Sequence, residues 1–176
     1  MKITINGGHC PGLDSGAVGA TGLQEAVVVK GVMQRVAGYL RDIGAVVLEV
    51  QKNELYQITD TSNRFGADLF VSIHCNAAVN RAAQGTETYC YSLGGQGEKL
   101  AGCIQRQIVN SLGTVDRGVK TAGFYVLKNT DCPAVLVELA FISNPEDEVL
   151  LADAGKRDEF ARAIARGITD YLAGVS

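Results

Sequence analysis

The hydrophobic pattern of the chain switches repeatedly between short apolar runs and longer stretches with helical spacing. The apolar runs predict strands at KITIN (2–6), AVVLEV (45–50), LFVSI (69–73), TETYCY (86–91), FYVL (124–127) and AVLVEL (134–139). The helical spacing predicts helices over 23–43, 56–65, 97–113, 144–151 and 156–172. Strands that alternate with helices in this way are typical of a parallel sheet.

The predicted helices have one apolar face and recognisable boundaries. The apolar stripe of the first helix consists of Val29, Val32, Val36, Leu40 and Ile43. Gly44 is expected to end this helix, and Asn144 is expected to cap a later one that has Pro145 at its first position. We therefore expect an α/β fold, a mostly parallel twisted sheet with helices on both faces, in a single domain over 1–176.

Composition and charge exclude several classes of function. The net charge of −3 provides no basic surface for nucleic acid or for an acidic membrane. No window approaches the roughly 20 apolar residues of a membrane-spanning helix. The first residues form a strand and do not have the longer apolar segment of a signal peptide. We expect a soluble protein that is made in the cytoplasm, without membrane insertion and without a nucleic-acid partner.

Both histidines of the chain and two glutamates with apolar neighbours fall at positions that converge in such a fold. His9 follows the first predicted strand, His74 follows the third, and Glu138 lies at the end of AVLVEL. Counting back along the helical stripe places Glu25 on the core-facing side of the first helix, near its start. Because ligands bind beyond the carboxyl ends of parallel strands, we expect the four side chains at one edge of the sheet.

These four side chains match the protein groups of a catalytic zinc site. Two neutral imidazoles and one carboxylate are a common ligand set, and the fourth position is left for water. His9, Glu25 and His74 fit the ligand role, and Glu138 fits a general base that takes a proton from this water and returns it to a leaving amine. A buried glutamate beside a cation also avoids the desolvation cost of an unpaired charge.

The cysteines leave two alternatives open. The five cysteines have no CxxC spacing, which argues against a disulfide framework, and Cys90 and Cys103 are expected to be buried. The His-Cys dipeptides at 9–10 and 74–75 could supply a structural Cys2His2 zinc, although adjacent residues that leave a strand point to opposite sides. Cys75 could also be a thiol nucleophile, although a signature of cysteine enzymes is missing.

Three blocks of the sequence, in this order, match the motifs of a known family. They are GGHCPGLDSGAVGATGLQEA (7–26), NRFGADLFVSIHCNA (63–77) and RGVKTAGFYVLKNTDCPAVLVELAFISNPED (117–147). Together they resemble the zinc-dependent N-acetylmuramoyl-L-alanine amidases of type 3, which are bacterial and phage cell-wall hydrolases. The resemblance covers essentially the whole chain. It implies that His9, Glu25 and His74 bind zinc and that Glu138 is the catalytic glutamate.

The resemblance also implies the reaction and the partners. It implies hydrolysis of the amide bond between N-acetylmuramic acid and L-alanine of peptidoglycan, with one Zn²⁺ per chain and zinc-bound water as the nucleophile. Asn76 and Arg117 are candidates for substrate binding. The protein would reach the cell wall after release, as a phage endolysin or a host autolysin. A silent peptidoglycan-binding module and a zinc peptidase of the stem peptide are the alternatives.

The chain departs from the family pattern at two places and lacks a segment that some members have. The chain has NGGHCPG where the family often has Asp-Pro-Gly-His-Gly-Gly, and LEVQKNEL where a Thr-Arg pair is common. Only six residues separate Ala78 from Gly85, too few for the helix that plugs the site of some exported members. We therefore expect an enzyme that is active without an activator protein. We also expect a monomer with no separate wall-binding domain.

Overall fold

Strands and helices alternate along almost the whole chain. The computed structural model describes residues 1–174. The strands are β1 (Lys2–Gly7), β2 (Val46–Val50), β3 (Leu69–Asn76), β4 (Thr86–Cys90), β5 (Asp116–Thr121) and β6 (Ala134–Phe141). The helices are α1 (Glu25–Asp42), α2 (Leu55–Phe65), α3 (Gln96–Leu112), α4 (Tyr125–Lys128), α5 (Pro145–Ala152) and α6 (Ala154–Leu172).

The strands form one six-stranded sheet in the order β2-β1-β3-β6-β4-β5. Neighbouring strands from β2 to β6 are parallel, and β4 and β5 are parallel to each other. The reversal occurs between β6 and β4, which pair antiparallel. The predicted α/β fold with a mostly parallel sheet is therefore confirmed.

Helices cover the two faces of the sheet unequally. The long helices α1, α3 and α6 pack on one face over the larger hydrophobic core, and the short helices α2 and α4 pack on the other over a smaller one. The α1 residues Val29, Val32, Val36 and Leu40 are fully buried, as their spacing predicts. Ile43 is the exception, because α1 ends before it and its side chain is 61% exposed.

Two segments differ from the sequence prediction. The run FYVL is not a strand, because α4 begins at Tyr125 and buries only Val126 and Leu127. An apolar run of four residues is too short for its periodicity to separate a helical turn from a strand. The sequence prediction also missed β5, because this strand at the edge of the sheet reads DRGVKT and has no alternating apolar pattern.

Helix α5, which is distant in sequence, holds the loop between β1 and α1 by hydrogen bonds. Asn144 caps α5 by accepting hydrogen bonds from the amides of Glu146 and Asp147, which confirms the predicted cap. In the first turn of α5, Glu148 accepts hydrogen bonds from the amides of Ala20 and Thr21. The helix after β6 therefore holds the loop that follows β1.

The expected burial of two cysteines is also confirmed. Cys90 and Cys103 are buried, with 0% and 5% of their surface exposed. Within residues 1–174, no helix combines the length and the apolar character needed to cross a bilayer.

The contact between α3 and α6 depends on a glycine. A β-carbon at Gly167 would lie 2.5 Å from Ile104 Cα and 2.8 Å from Ile104 N. Both obstructing atoms belong to the backbone of α3, so a rotamer change cannot relieve the clash. Gly102, in contrast, has nothing within 4 Å of the position of its β-carbon.

We predict that Gly167→Ala destabilises the protein by about 1–3 kcal/mol, because it forces the two helices apart. The matched control Gly102→Ala should stabilise it by up to about 1 kcal/mol, since alanine favours helix and meets no obstruction there. Urea unfolding of both variants measures the difference. Equal effects of the two substitutions would contradict the packing argument.

Candidate metal centre

The register of β3 against β6 brings a histidine and a glutamate together. His74 pairs directly with Glu138. Both strands continue beyond these residues, to Asn76 and Phe141, so the prediction that His74 lies past its strand is wrong. Because side chains alternate along a strand, His74 and Glu138 share the face of Phe70 and Leu136, where α2 and α4 pack.

The glycine-rich loop after β1 presents His9 from the side. His9 has φ of 58°, in the left-handed region that non-glycine residues rarely adopt. A two-way backbone pairing between Cys10 and Asp14 holds this turn, with N···O distances of 3.0 and 2.8 Å. The Asp14 carboxylate lies 2.6 Å from His9 Nδ1 and so fixes the ring with Nε2 directed at the site. Asp14 was not identified from the sequence.

Glu25, the first residue of α1, lies between the two imidazoles. Its Oε2 is 3.2 Å from His9 Nε2, and its Oε1 is 3.0 Å from His74 Nδ1. The amides of Ala17 and Cys75 donate one hydrogen bond to each carboxylate oxygen, both at 3.0 Å. The ligand atoms of the two histidines and Glu25 all lie within 4.8 Å of one another. The helical stripe therefore located this buried carboxylate correctly.

Burial and hydrogen bonding act in opposite directions on Glu25. Burial alone would raise the pKa of its carboxyl group, but the hydrogen bonds with His74 and His9 hold this pKa well below its usual range. In return, the pKa of His9 is raised to about 9, chiefly by the hydrogen bond to Glu25, with Asp14 contributing to the same shift and burial opposing it. The centre thus concentrates negative charge where two nitrogen ligands converge.

Two glycines let the loop approach these side chains. A β-carbon at Gly8 would lie 2.2 Å from His74 Cε1, which is much shorter than a van der Waals contact with the imidazole ring. A β-carbon at Gly16 would lie 2.6 Å from both Glu25 Oε2 and His9 Cδ2. Glycine at positions 8 and 16 therefore follows from the close packing of backbone against the three candidate ligands.

Glu138 differs from Glu25 because one of its carboxylate oxygens lacks a hydrogen-bond partner. Its Oε2 atom is buried and has no partner among the described residues. Burial raises the pKa of Glu138 to about 8, and the negative charges of Glu25 and Glu87 contribute to the same shift. A carboxyl group with such a pKa can exchange a proton near neutral pH.

The two candidates for substrate binding point to a residue that the sequence analysis missed. Asn76 Nδ2 and Arg117 Nε each lie 2.7 Å from an oxygen of Glu87. Glu87 belongs to β4 and pairs in register with Glu138. Its position in the alternating run TETYCY was the available signal, because an acidic residue there shares the face of Tyr89.

Cys75 lies apart from this arrangement. Cys75 is 3% exposed and belongs to the larger core on the opposite face from His74. Burial raises the pKa of the Cys75 thiol well above its ordinary value, which disfavours the reactive thiolate. This geometry argues against both the Cys2His2 zinc and the thiol nucleophile.

A cleft opens beside the centre. It has a volume of about 320 Å³, and its wall includes His9, His74, Lys52, Phe124 and Tyr125. Phe124 and Tyr125 are 39% and 42% exposed, so aromatic surface is available to a ligand there.

The comparison with known proteins identifies the family. Residues 3–170 match the family described as N-acetylmuramoyl-L-alanine amidase. The chain belongs to this family. The predicted family and the predicted class of enzyme, an amide hydrolase, are therefore confirmed.

Three proteins illustrate the similarity to known sequences and structures, and two of them are named amidases. The chain is 41% identical over 175 residues to the N-acetylmuramoyl-L-alanine amidase LytC of Bacillus subtilis (strain 168). The aligned region covers 96% of this chain and 35% of LytC. It is 34% identical over 185 residues to the endolysin of Bacillus phage SPP1, covering 98% of this chain and 65% of the endolysin. The amidase AmiC2 of Nostoc punctiforme superposes with a TM-score of 0.93 at 34% identity, covering 98% and 97% of the two chains.

If this centre holds a metal ion, we predict that Gly16→Ala weakens its binding by about 10–100-fold, because the new methyl group displaces Glu25 and His9. Gly12→Ala is the matched control, since Gly12 also has a positive φ but nothing within 4 Å of its β-carbon position. Zinc affinity is measured by competition with a chelator. If the two variants bind zinc equally, crowding at Gly16 does not matter to the site.

Proposed function

We propose that this amidase hydrolyses the bond between N-acetylmuramic acid and L-alanine in peptidoglycan with a single zinc ion. The observation that carries the proposal is the convergence of His9, Glu25 and His74 beside Glu138. The membership of the amidase family and the names of its relatives support the same reaction. The chain spans about a third of LytC, so the proposal concerns the catalytic segment that the two share.

The residues present fit a zinc ion. The ligand atoms of a tetrahedral zinc, at about 2.0–2.2 Å from the metal, stand about 3.4 Å apart. One ligand atom from each of the three residues lies within 4.8 Å of the other two, and each Glu25 oxygen is 3.2 or 3.0 Å from one of the histidine nitrogens, so a small shift can bring the three donors to that spacing. Two nitrogen donors and one carboxylate also leave one tetrahedral position for water or substrate. His9, Glu25 and His74 would hold the ion.

Each residue of the chain then has a separate task. When bound, zinc supplies a more acidic water and polarises the carbonyl of the scissile amide. Asp14 orients the His9 ring, and the amides of Ala17 and Cys75 orient Glu25. Glu138 Oε2 accepts the proton of the attacking water and delivers it to the leaving amine of alanine. Beside a cation held by His9, Glu25 and His74, Glu138 would favour its carboxylate form, which is the form that accepts a proton.

We also propose that the enzyme acts as a monomer, without an activator, on cell wall reached after release. The connection from β3 to β4, between Asn76 and Thr86, contains no helix and is held by hydrogen bonds to Ser143 and Asn144. The similarity to a phage endolysin supports action on the wall after lysis. A single catalytic domain over 1–176 remains a prediction.

The bond that is cleaved can be read from the products. Zinc-loaded enzyme acting on purified peptidoglycan should release peptides with a free N-terminal L-alanine and glycans with a free lactyl carboxyl group, both identified by mass spectrometry. Fragments cut within the stem peptide would instead support a zinc peptidase. Binding without products would support a silent module.

The two central glutamates should respond differently to loss of charge. Glu138→Gln should retain zinc but hydrolyse peptidoglycan about 10²–10⁴-fold more slowly, because general acid–base assistance is lost. Glu25→Gln should release zinc more readily, because a ligand has lost its charge. Zinc content and turnover are measured on both variants. If Glu25→Gln kept its zinc and Glu138→Gln kept its turnover, the two roles would have to be exchanged.

A further inference from the structure

A second buried carboxylate, Glu87, lies next to the proposed base. Glu87 on β4 is the register partner of Glu138 on β6, and it is 3% exposed. Directly opposed side chains of antiparallel strands have β-carbons about 5 Å apart and share one face of the sheet. Like charges at this separation repel, so the charge of Glu87 needs compensation.

Four donors surround Glu87. Its Oε1 accepts hydrogen bonds from Asn76 Nδ2 and the Tyr89 hydroxyl, both at 2.7 Å. Its Oε2 accepts one from Arg117 Nε at 2.7 Å and one from Lys120 Nζ. Burial alone would raise the pKa of Glu87, but the bonds from Lys120, Tyr89 and Arg117 lower it to about 2. Glu87 is therefore a fixed negative charge with both oxygens occupied.

The two cations exceed what Glu87 needs. Glu87, Arg117 and Lys120 together carry a net charge of +1. The side chains of Arg117 and Lys120 are 33% and 38% exposed, so both reach solvent. Glu87 takes one of the three ammonium donors of Lys120 and one of the five N–H donors of Arg117. The Arg117 guanidinium also lies 4.8 Å from the centroid of the Phe141 ring, which restrains its plane.

We propose that Arg117 and Lys120, held in position by Glu87, bind a free carboxylate of the peptide part of the substrate. This inference rests on the proposed function. It also states which side of the substrate, the peptide and not the glycan, lies at Arg117 and Lys120. The lactyl carboxyl group of muramic acid is consumed in the scissile amide, and the rest of the glycan carries hydroxyl and acetamido groups. Free carboxylates therefore belong to the peptide side.

The position of the cations selects one residue of that peptide. Glu138 delivers its proton to the alanine nitrogen, and the charged groups of Arg117 and Lys120 contact Glu87, which lies on the neighbouring strand β4, about 4.8 Å away. An extended chain advances about 3.3–3.6 Å per residue. The second residue of the stem peptide, directly after alanine, can place a carboxylate at this distance. Arg117 and Lys120 are binding residues, and Glu87 is a positioning residue.

The test compares two soluble muropeptides that differ only in the second residue of the stem, which carries a carboxylate in one and a carboxamide in the other. The zinc-loaded wild-type enzyme should prefer the carboxylate by about tenfold or more in kcat/KM, mainly through KM, because charge-assisted hydrogen bonds are lost with the amide. Lys120→Met and Arg117→Met should each remove most of this preference, read as the ratio of kcat/KM for the two muropeptides within each variant. Lys128→Met removes an exposed charge elsewhere and should keep the preference.

The variant Glu87→Gln tests whether Glu87 positions the two cations or only contributes to the net charge. The two explanations predict opposite changes in the preference for the carboxylate substrate. Removal of a negative charge should strengthen anion binding if only net charge matters. If Glu87 positions the cations, the preference for the carboxylate should fall. A preference that persists or grows in Glu87→Gln overturns the positioning role, and Lys120→Met decides on the subsite if that variant fails to fold.

The outcomes also separate this inference from the proposed function. Equal turnover of both muropeptides by the wild-type enzyme, or a preference lost in Lys52→Met but kept in Lys120→Met, overturns the carboxylate subsite and leaves the amidase reaction in place. Absence of N-terminal L-alanine from the products of both muropeptides and of peptidoglycan overturns the reaction itself.

Discussion

The buried charge of Glu25 is the constraint on which the rest of the centre depends. A carboxylate out of water is costly unless it has partners, and this one has two imidazoles and two backbone amides. To supply them, the chain must bring a loop, a helix start and a strand to one point. Gly8 and Gly16 follow from this requirement, since a β-carbon at either would collide with the converging side chains.

The two faces of the sheet divide stability from chemistry. Three long helices seal one face over a continuous apolar core, in which Cys75 is packed. The other face is covered only by α2 and the single turn of α4, so it holds a smaller core and leaves space beside it. Alternation along β3 and β6 sends every second residue to that open face, where His74 and Glu138 lie. The polar side chains of His74 and Glu138 are tolerated there because this face is covered less completely.

The sequence allowed prediction of the parts that depend on local periodicity. The stripe of α1 gave the core-facing side of Glu25, and apolar runs gave β1, β3 and β6. Sheet order is not encoded locally, so the pairing of Glu87 with Glu138 was out of reach. The edge strand β5 is polar, and the α4 turn reads like a strand. Asp14 was missed because its role depends on the turn that His9 makes.

The same pairing explains why two neighbouring carboxylates can have different roles. Glu87 and Glu138 are register partners, yet the pKa of the first is lowered to about 2 and that of the second is raised to about 8. Two cations, an amide and a hydroxyl satisfy Glu87, whereas Glu138 Oε2 has no partner among the described residues. Environments that separate the pKa values of a pair assign one carboxylate to fixed charge and the other to proton transfer. Glu87 can therefore hold the cations while Glu138 moves the proton.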